Sequence, residues 1–267
     1  MGDYHTHSLF SPDGRDSVLE IARAARGAGM EEVAITDHCD IIPPGGEGFP
    51  PLDGDGYFRA VRDAQEKLDG IRLVYGLELG EGTHNPETAR RIAGDYPFDF
   101  IIGSYHALKD SRDFYCLEYP SAADCHALID TYLDELSELC SFGGFDVLGH
   151  LTYPLRYMSA NPELAGKISF ISHTEKVRAV FDKLIESGRG IELNVSGLFR
   201  KNALAMPDLP LLKLYRGAGG EIVTVGSDAH GAKSAGRGIR EGYEMLKQAG
   251  FRFVAAYQER RPRFEKI

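Results

Sequence analysis

The chain has 267 residues, of which 43% are hydrophobic and 26% charged, a composition typical of a globular protein with one large domain or two small ones. Its net charge of −10 argues against duplex nucleic acid as a partner, because neutralising phosphates requires a basic surface. No apolar run reaches about 18 residues, so we expect no membrane-spanning helix. The four cysteines form no C-x-x-C pair and no secretion signal is evident, which predicts a cytoplasmic protein with reduced thiols.

Short β-rich runs alternate with helical patterns along the chain. Predicted strands cover residues 4–7, 33–36, 73–78, 98–103, 147–150, 191–194 and 222–226, with an eighth strand-like run at 251–256. Predicted helices cover residues 17–28, 57–68, 86–93, 122–139, 174–185, 209–215 and 239–249. Repeated β-then-α units predict a parallel sheet. Seven or eight such units without a linker favour a single-domain α/β barrel over residues 1–267, and a doubly wound open sheet is the alternative.

The segment at 41–56 is rich in proline and glycine and directly follows the second predicted strand. We expect it to form a long loop over the mouth of the barrel, where loops commonly carry binding residues. A passive surface insertion fits the composition equally well.

Histidines and carboxylates gather at the ends of the predicted strands. Six of the nine histidines lie there, namely His5, His7, His38, His106, His150 and His230, and the carboxylates are Glu78 and Asp228. In a barrel the carboxyl ends of all strands meet at one rim, so these side chains converge. Imidazole and carboxylate groups together suit zinc, iron or manganese. A single strand-end histidine is usually structural, and it is the set that predicts a metal site.

The strand-end motifs resemble those of a known family. They are His5-Thr6-His7-Ser8, Thr36-Asp37-His38, the strand end at Glu78, Gly149-His150 and Ser227-Asp228-Ala229-His230, and they resemble the motifs of the PHP (polymerase and histidinol phosphatase) superfamily. Residues 132–136, 146–150, 154–157 and 194–196, with Arg200 beyond them, are similar to the monofunctional histidinol-phosphatase branch. The resemblance implies a distorted (β/α)7 TIM-like barrel that binds two to three divalent transition metal ions, which are zinc, iron or manganese.

By position, the resemblance implies three groups of metal ligands. The first is His5, His7, Glu78 and Asp228, the second is a bridging Glu78 with His106 and His150, and the third is Asp13, His38 and His230. Asp13 stands where many superfamily members have histidine, and its carboxylate is a suitable oxygen ligand. Its alternative role is in a tight turn, because Ser11 to Gly14 form a strong turn sequence.

Such a cluster suits hydrolysis of a phosphate monoester, because clustered metal ions activate water and hold phosphate oxygens. Arg156 and Arg200 each lie shortly beyond a predicted strand end. We predict that both bind the substrate phosphate, because the planar guanidinium pairs with two oxygens, and that Ser196 adds a hydroxyl donor. A solvated surface position is the alternative for each arginine.

The leaving alkoxide of the substrate needs a proton or a metal ion. Asp40, which follows His38 closely, is the first candidate for the general acid, provided that its surroundings raise its pKa. His230 and a metal-bound water are the alternatives.

The resemblance implies L-histidinol phosphate as the substrate, in histidine biosynthesis. Candidates for contacting its imidazole and ammonium groups are Glu47, Asp110, Asp113, Tyr115 and Glu118, without a choice among them. Three other functions stay open: a phosphoesterase acting on another small phosphate such as a nucleotide, an amidohydrolase-type enzyme, and a non-catalytic metal-binding barrel. The amidohydrolase class commonly uses a bridging lysine at a strand end, and no predicted strand here ends in lysine. Whether the chain forms a homo-oligomer is also left open.

Overall fold

Strands and helices alternate through the chain in a computed structural model that describes residues 1–41, 52–200 and 204–267. The strands are β1 (Gly2–Thr6), β2 (Glu32–Ile35), β3 (His38–Asp40), β4 (Arg72–Gly80), β5 (Phe100–Ser104), β6 (Val147–Leu148), β7 (Gly190–Asn194), β8 (Val223–Gly226), β9 (Phe253–Gln258) and β10 (Arg261–Lys266). The helices are α1 (Val18–Gly27), α2 (Gly54–Glu66), α3 (Pro86–Asp95), α4 (Ala122–Phe142), α5 (Leu155–Met158), α6 (Thr174–Glu186), α7 (Leu209–Gly217) and α8 (Ile239–Ala249). Within the described ranges, no helix is long and apolar enough to cross a bilayer.

The helices begin where the sequence supplies a cap and bury one face against the sheet. At α1 the Ser17 side chain accepts from the Glu20 backbone N–H while the Glu20 side chain accepts from Ser17, which forms a capping box. The buried residues of this helix are Val18, Ile21, Ala22 and Ala25, the apolar stripe that the sequence predicts.

The strands form a parallel barrel. They pair in the order β1-β2-β4-β5-β6-β7-β8, and β3 extends the pairing beyond β2 by lying against β4. A bridge between Thr6 and Ala229 brings β1 beside the chain that follows β8, where the Asp228 N–H donates to the His5 carbonyl at 2.8 Å. The barrel interpretation is therefore confirmed, and the open sheet is wrong. All carboxyl ends of the strands face one rim, which positions the site.

The eighth predicted strand exists but lies outside the barrel sheet. β9 pairs antiparallel with β10 in a hairpin of its own. Its residues Ala255, Ala256 and Tyr257 pack against a buried cluster that includes Tyr4 and Phe100. The hairpin is anchored near the amino ends of the strands, because the Arg72 guanidinium donates to the Tyr257 carbonyl and the Arg260 guanidinium to Asp146. It closes the end of the barrel opposite the histidines.

The proline- and glycine-rich loop predicted at 41–56 lies mostly outside the described residues. Its last part needs correction, because α2 already begins at Gly54. Asp53 caps this helix by accepting from the Gly56 N–H, and aspartate is a favoured residue at that position.

Candidate metal centre and phosphate-binding site

Glu78 lies at the centre of the histidine cluster, fully buried near the carboxyl end of β4. One of its oxygens, Oε1, lies 2.8 Å from His150 Nε2 and 3.3 Å from His106 Nε2. The other, Oε2, lies 2.9 Å from His38 Nδ1 and 3.2 Å from His5 Nε2. The carboxylate thus joins two groups of histidines, with one oxygen facing each group.

Asp228 completes the inner side of the cluster. His7 Nε2 lies 3.5 Å from Glu78 Oε2 and 3.5 Å from Asp228 Oδ1. Asp228 has a φ of 53°, in the left-handed region that aspartate tolerates better than most residues. Two residues after β8, the Asp228 carboxylate therefore faces His7 and, at 3.9 Å, His5.

Asp13 belongs to an outer group with two histidines. Its carboxylate lies 3.0 Å from His230 Nε2 and 3.8 Å from His38 Nε2. The rings of His38 and His230 each stack on His7 at 4.1 Å. The structure therefore brings Asp13 to the cluster, although its side chain is 61% exposed.

The donor atoms of this rim fit divalent metal ions. Four sets of three donor atoms each lie within 4.8 Å of one another: His7, His38 and His230; His5, His7 and Asp228; His5, Glu78 and His150; His38, Asp40 and His106. Several buried polar atoms among them make no well-aligned hydrogen bond within the described chain, including His7 Nε2, His38 Nδ1 and Asp40 Oδ1. Buried polar atoms are normally satisfied, so these are free to bind an ion. Mixed imidazole and carboxylate donors match zinc, iron and manganese.

The electrostatics of the cluster follow from placing acids among imidazoles. Burial alone would raise the pKa of Glu78, but His5, His38 and His106 hold it well below its ordinary value. Burial alone would lower the pKa of His38, but the Glu78 carboxylate raises it to about 9. His7 behaves differently, because burial and the neighbouring His38 and His230 push its pKa well below the ordinary value. The inner carboxylates are therefore ionised and ready to bind a cation.

Asp40 does not meet the condition for a general acid. Burial would raise its pKa, but charge interaction and a hydrogen bond with His106, and the charge of His38, hold it below the ordinary value. Its Oδ1 lies 3.4 Å from His106 Nδ1. Glu81 is an acid in this region with a raised pKa, which burial and the charge of Asp40 bring to about 8. Asp40 is consequently an ionised group that suits a base or a ligand.

His230 is predicted as a metal ligand and as an alternative general acid, and both roles require the same ring nitrogen. Its Nδ1 lies 3.1 Å from the Asp228 carbonyl, which fixes the proton on Nδ1 and leaves Nε2 facing Asp13. Burial would lower the pKa of His230, but the Asp13 hydrogen bond and the charge of Asp228 raise it. Nε2 can bind an ion or donate a proton, but it cannot do both at once.

Arg156 reaches the cluster from α5, the short helix after β6. Its Nη2 donates to Ser196 Oγ at 2.6 Å and to Asp228 Oδ2 at 3.1 Å. Its Nε has no hydrogen-bond partner among the described residues. Arg156 and Ser196 line a cavity of about 1170 Å³ with the metal-site residues, and Arg200 lies at its exposed edge. The three predicted phosphate-binding residues thus share one cavity beside the cluster.

Two of the candidates for contacting the rest of the substrate also line this cavity. They are Asp113 and Tyr115, and the Tyr115 ring lies 5.9 Å from the ring of Tyr157. Asp110 and Glu118 are not among the described residues that line it, and Glu47 lies outside the described ranges.

The sequence interpretation missed residues that contact the Nδ1 atoms of the histidines, on the side of each ring away from Glu78. Glu192 on β7 lies 2.6 Å from His5 Nδ1. Ser11 Oγ lies 3.1 Å from His7 Nδ1 and donates to the buried Asp37 at 2.6 Å. For Glu192 the available signal was an acid within an apolar predicted strand, because a buried acid requires partners. Ser11, in a predicted turn, offered no such signal.

A profile of the PHP domain matches residues 3–196. The chain belongs to the PHP domain family. The match covers the strands from β1 to β7 and therefore most of the cluster, and Asp228 and His230 follow it at the end of β8.

Individual relatives of this PHP domain match almost its whole length. Histidinol-phosphatase of Lactococcus lactis subsp. lactis is 28% identical over 96% of this chain and 93% of that protein. A probable histidinol-phosphatase of Thermotoga maritima is 28% identical over 96% of this chain and 95% of that protein. The crystal structure of histidinol phosphate phosphatase from Lactococcus lactis, complexed with zinc, L-histidinol and phosphate, has a TM-score of 0.81 and 25% identity and covers 98% of both chains.

Proposed function

We propose that this PHP domain is a metal-dependent phosphomonoesterase that hydrolyses L-histidinol phosphate to L-histidinol and phosphate, in histidine biosynthesis. The observation that carries the proposal is the convergence of all predicted metal and phosphate ligands around one cavity. The end-to-end likeness to the Lactococcus enzyme, whose crystal holds zinc, L-histidinol and phosphate, supports the choice of substrate.

Three groups of residues are proposed to hold the ions. His5, His7 and Asp228 form the first, His106 and His150 the second, and Asp13, His38 and His230 the third, with Glu78 between the first two. Bound divalent ions would lower the pKa of a water and neutralise charge on the phosphate oxygens. The ionised state of Glu78, Asp228 and Asp13 supports these assignments, because the pKa of each is lowered by neighbouring histidines.

Arg156 is proposed to bind the phosphate beside the cluster. Asp228 and Ser196 hold its guanidinium in place through Nη2, which leaves other N–H groups for substrate oxygens. Ser196 Oγ is proposed as a further donor, and Arg200 is proposed to approach from the outer edge of the cavity. A phosphate dianion would be repelled by the ionised Asp228. Metal ions bound by the cluster would supply the positive charge that offsets this repulsion.

Asp40 is proposed to move a proton during hydrolysis. Since its pKa is lowered, its first role is to accept a proton from the attacking water. The lowered pKa makes Asp40 a poor donor to the leaving alkoxide. His230 remains the alternative donor when its Nε2 carries a proton.

Asp113 and Tyr115 are proposed to receive the leaving group. L-Histidinol carries an ammonium and an imidazole, and a carboxylate beside aromatic rings suits both. Tyr115 is 74% exposed at the mouth of the cavity, where its ring is accessible to a ligand.

A substrate comparison tests the proposal. Purified protein reconstituted with zinc, manganese or iron is assayed for phosphate release from L-histidinol phosphate, nucleoside monophosphates and phosphotyrosine. We expect kcat/KM for L-histidinol phosphate to exceed the others by roughly 100-fold. A substrate without the matching polar groups leaves the polar side chains of the subsite without hydrogen-bond partners, which disfavours its binding. Equal values for all three classes would contradict the choice of substrate and would favour a broad phosphoesterase.

The cytoplasmic location stays a prediction, supported by four cysteines that are all free in the structure. Cell fractionation tests it, and recovery of the protein outside the cytoplasm would contradict it.

A further inference from the structure

Glu192 is a buried acid with no part in the function proposed above. It lies in the middle of β7 with no exposed surface. Its Oε1 lies 2.6 Å from His5 Nδ1, and its Oε2 accepts from the His150 backbone N–H at 2.8 Å. The carboxylate therefore contacts the two residues that flank Glu78 from β1 and from the end of β6.

The contact with His5 decides which ring nitrogen faces the cluster. A carboxylate accepts hydrogen bonds and cannot donate them, so Nδ1 of His5 carries the proton. Nε2 then faces Glu78 Oε2 at 3.2 Å and Asp228 Oδ1 at 3.9 Å, where a bound cation would take the place of a second ring proton. Carboxylates that hold a metal-binding histidine in this way fix both the tautomer and the ring orientation.

The neighbouring strand leaves room for this contact. A Cβ atom at Gly226 on β8 would overlap Glu192 Oε1 and the Cβ of His5. The backbone of Gly226 is outside the left-handed region, so space and not conformation requires glycine here. The close approach of Glu192 and His5 is thus built into three adjacent strands.

We propose that Glu192 is a positioning residue of the metal centre. One oxygen fixes the tautomer of His5, and the other fixes the backbone that carries His150. Both halves of the cluster around Glu78 are set by a single side chain. The inference rests on the metal centre of the proposed function and is independent of which phosphate ester is the substrate.

Glu192→Gln tests the role with little change in volume. Glutamine has one acceptor oxygen, so it can satisfy His5 or the His150 N–H but not both. Asp146→Asn is the matched control, because Asp146 is also a buried acid that accepts a backbone N–H, from Ile101 at 2.7 Å, but lies at the amino end of β6. Zinc affinity is measured by competition with a chromophoric chelator, alongside thermal unfolding of the metal-free proteins.

We expect Glu192→Gln to weaken zinc binding by about 10–100-fold while Asp146→Asn keeps the wild-type affinity. Wild-type affinity in Glu192→Gln, or an equal loss in both variants, overturns the positioning role. If Glu192→Gln does not fold, Glu192→Asp is used, because its carboxylate is too short to reach both partners, and unchanged affinity there also overturns the role. A wild-type protein that binds no metal ion contradicts the proposed function itself. Failure of the proposed function is thus distinguishable from failure of the positioning role of Glu192.

Discussion

At the scale of single residues, Glu78 determines how the cluster holds together. Four histidines lie within 3.3 Å of its two oxygens, and the side chain is fully buried. A buried acid is tolerated only when its charge is compensated, and here imidazoles and bound cations provide that compensation. The cluster is therefore expected to fail as a unit when this carboxylate loses its charge.

Glu78→Gln should remove most activity and lower the metal content. The amide is neutral and bridges two cations poorly, so we expect phosphate release to fall at least about 1000-fold, or ~4 kcal/mol in the barrier. Phosphate release and bound metal are measured together. Glu221→Gln is the control, because the Glu221 side chain is 72% exposed and lies before β8, away from the site. Wild-type metal content and activity in Glu78→Gln would contradict the bridging role.

Arg156→Lys should weaken phosphate binding. Lysine keeps the charge but loses the planar fork, and a hydrogen bond to a charged group contributes about 1.5–3 kcal/mol, so kcat/KM should fall roughly 10–100-fold. Inhibition by inorganic phosphate should weaken in parallel. The control is Arg26→Lys, since Arg26 donates to the Asp69 carbonyl outside the cavity. Unchanged kcat/KM and phosphate inhibition would remove Arg156 from the phosphate site.

The stability of the metal-free protein should fall in alkaline solution. Burial lowers the pKa of His38, but the Glu78 carboxylate has the larger opposite effect. The pKa is therefore raised from 6.5 to about 9. The folded state therefore holds this proton more tightly than the unfolded chain, and the resulting stability is complete below pH 6.5 and lost as the pH rises to about 9. Thermal unfolding of chelator-treated protein at both pH values checks this. His38→Gln should show a smaller decrease in Tm, and an equal decrease in both proteins would contradict the assignment.

The convergence of the proposed ligand residues was predictable because barrel topology alone brings strand ends together. The residues behind them were not, since the contacts of Glu192 and Ser11 depend on side-chain distances between strands that the sequence does not pair. The same limit explains Asp40. Its position was predicted, but the direction of its pKa shift depends on His106 and His38 lying on either side of it.

At the scale of elements, the C-terminal hairpin is the part of the fold that the sequence leaves undecided. The run at 251–256 has strand composition, but its pattern does not decide whether it is an eighth unit of the β-then-α series. The turn that joins β9 to β10 has Glu259 and Arg260 at φ values of 49° and 62°. Two-residue hairpin turns of this conformation usually contain asparagine or glycine, so the sequence offers no signal for the turn.

Tyr257→Ala should destabilise the barrel without altering the site. Tyr257 is buried, and its ring lies 4.9 Å from that of Phe100 at the closed end. Loss of a large buried aromatic side chain costs about 3–5 kcal/mol, which urea denaturation measures. Phe264→Ala is the control, because Phe264 is 50% exposed on β10, and it should cost less than about 1 kcal/mol. Equal costs would show that the hairpin does not support the core.

At the scale of the whole molecule, the barrel explains how one site uses residues from both ends of the chain. The protein carries a net charge of −10, yet its cavity is proposed to accept a phosphate dianion. Arg156, Arg200 and bound ions would supply the positive field that this proposal requires. The account therefore depends on the ions more than on any single residue.

Metal titration of the stripped protein tests this dependence most directly. Chelator-treated protein is titrated with zinc, manganese or iron while bound metal and phosphate release from L-histidinol phosphate are measured on the same samples. The account predicts no turnover without metal and activity that rises with occupancy up to about two to three ions per chain. Full turnover by the stripped protein, or no phosphate release at saturating zinc, manganese and iron, would contradict it.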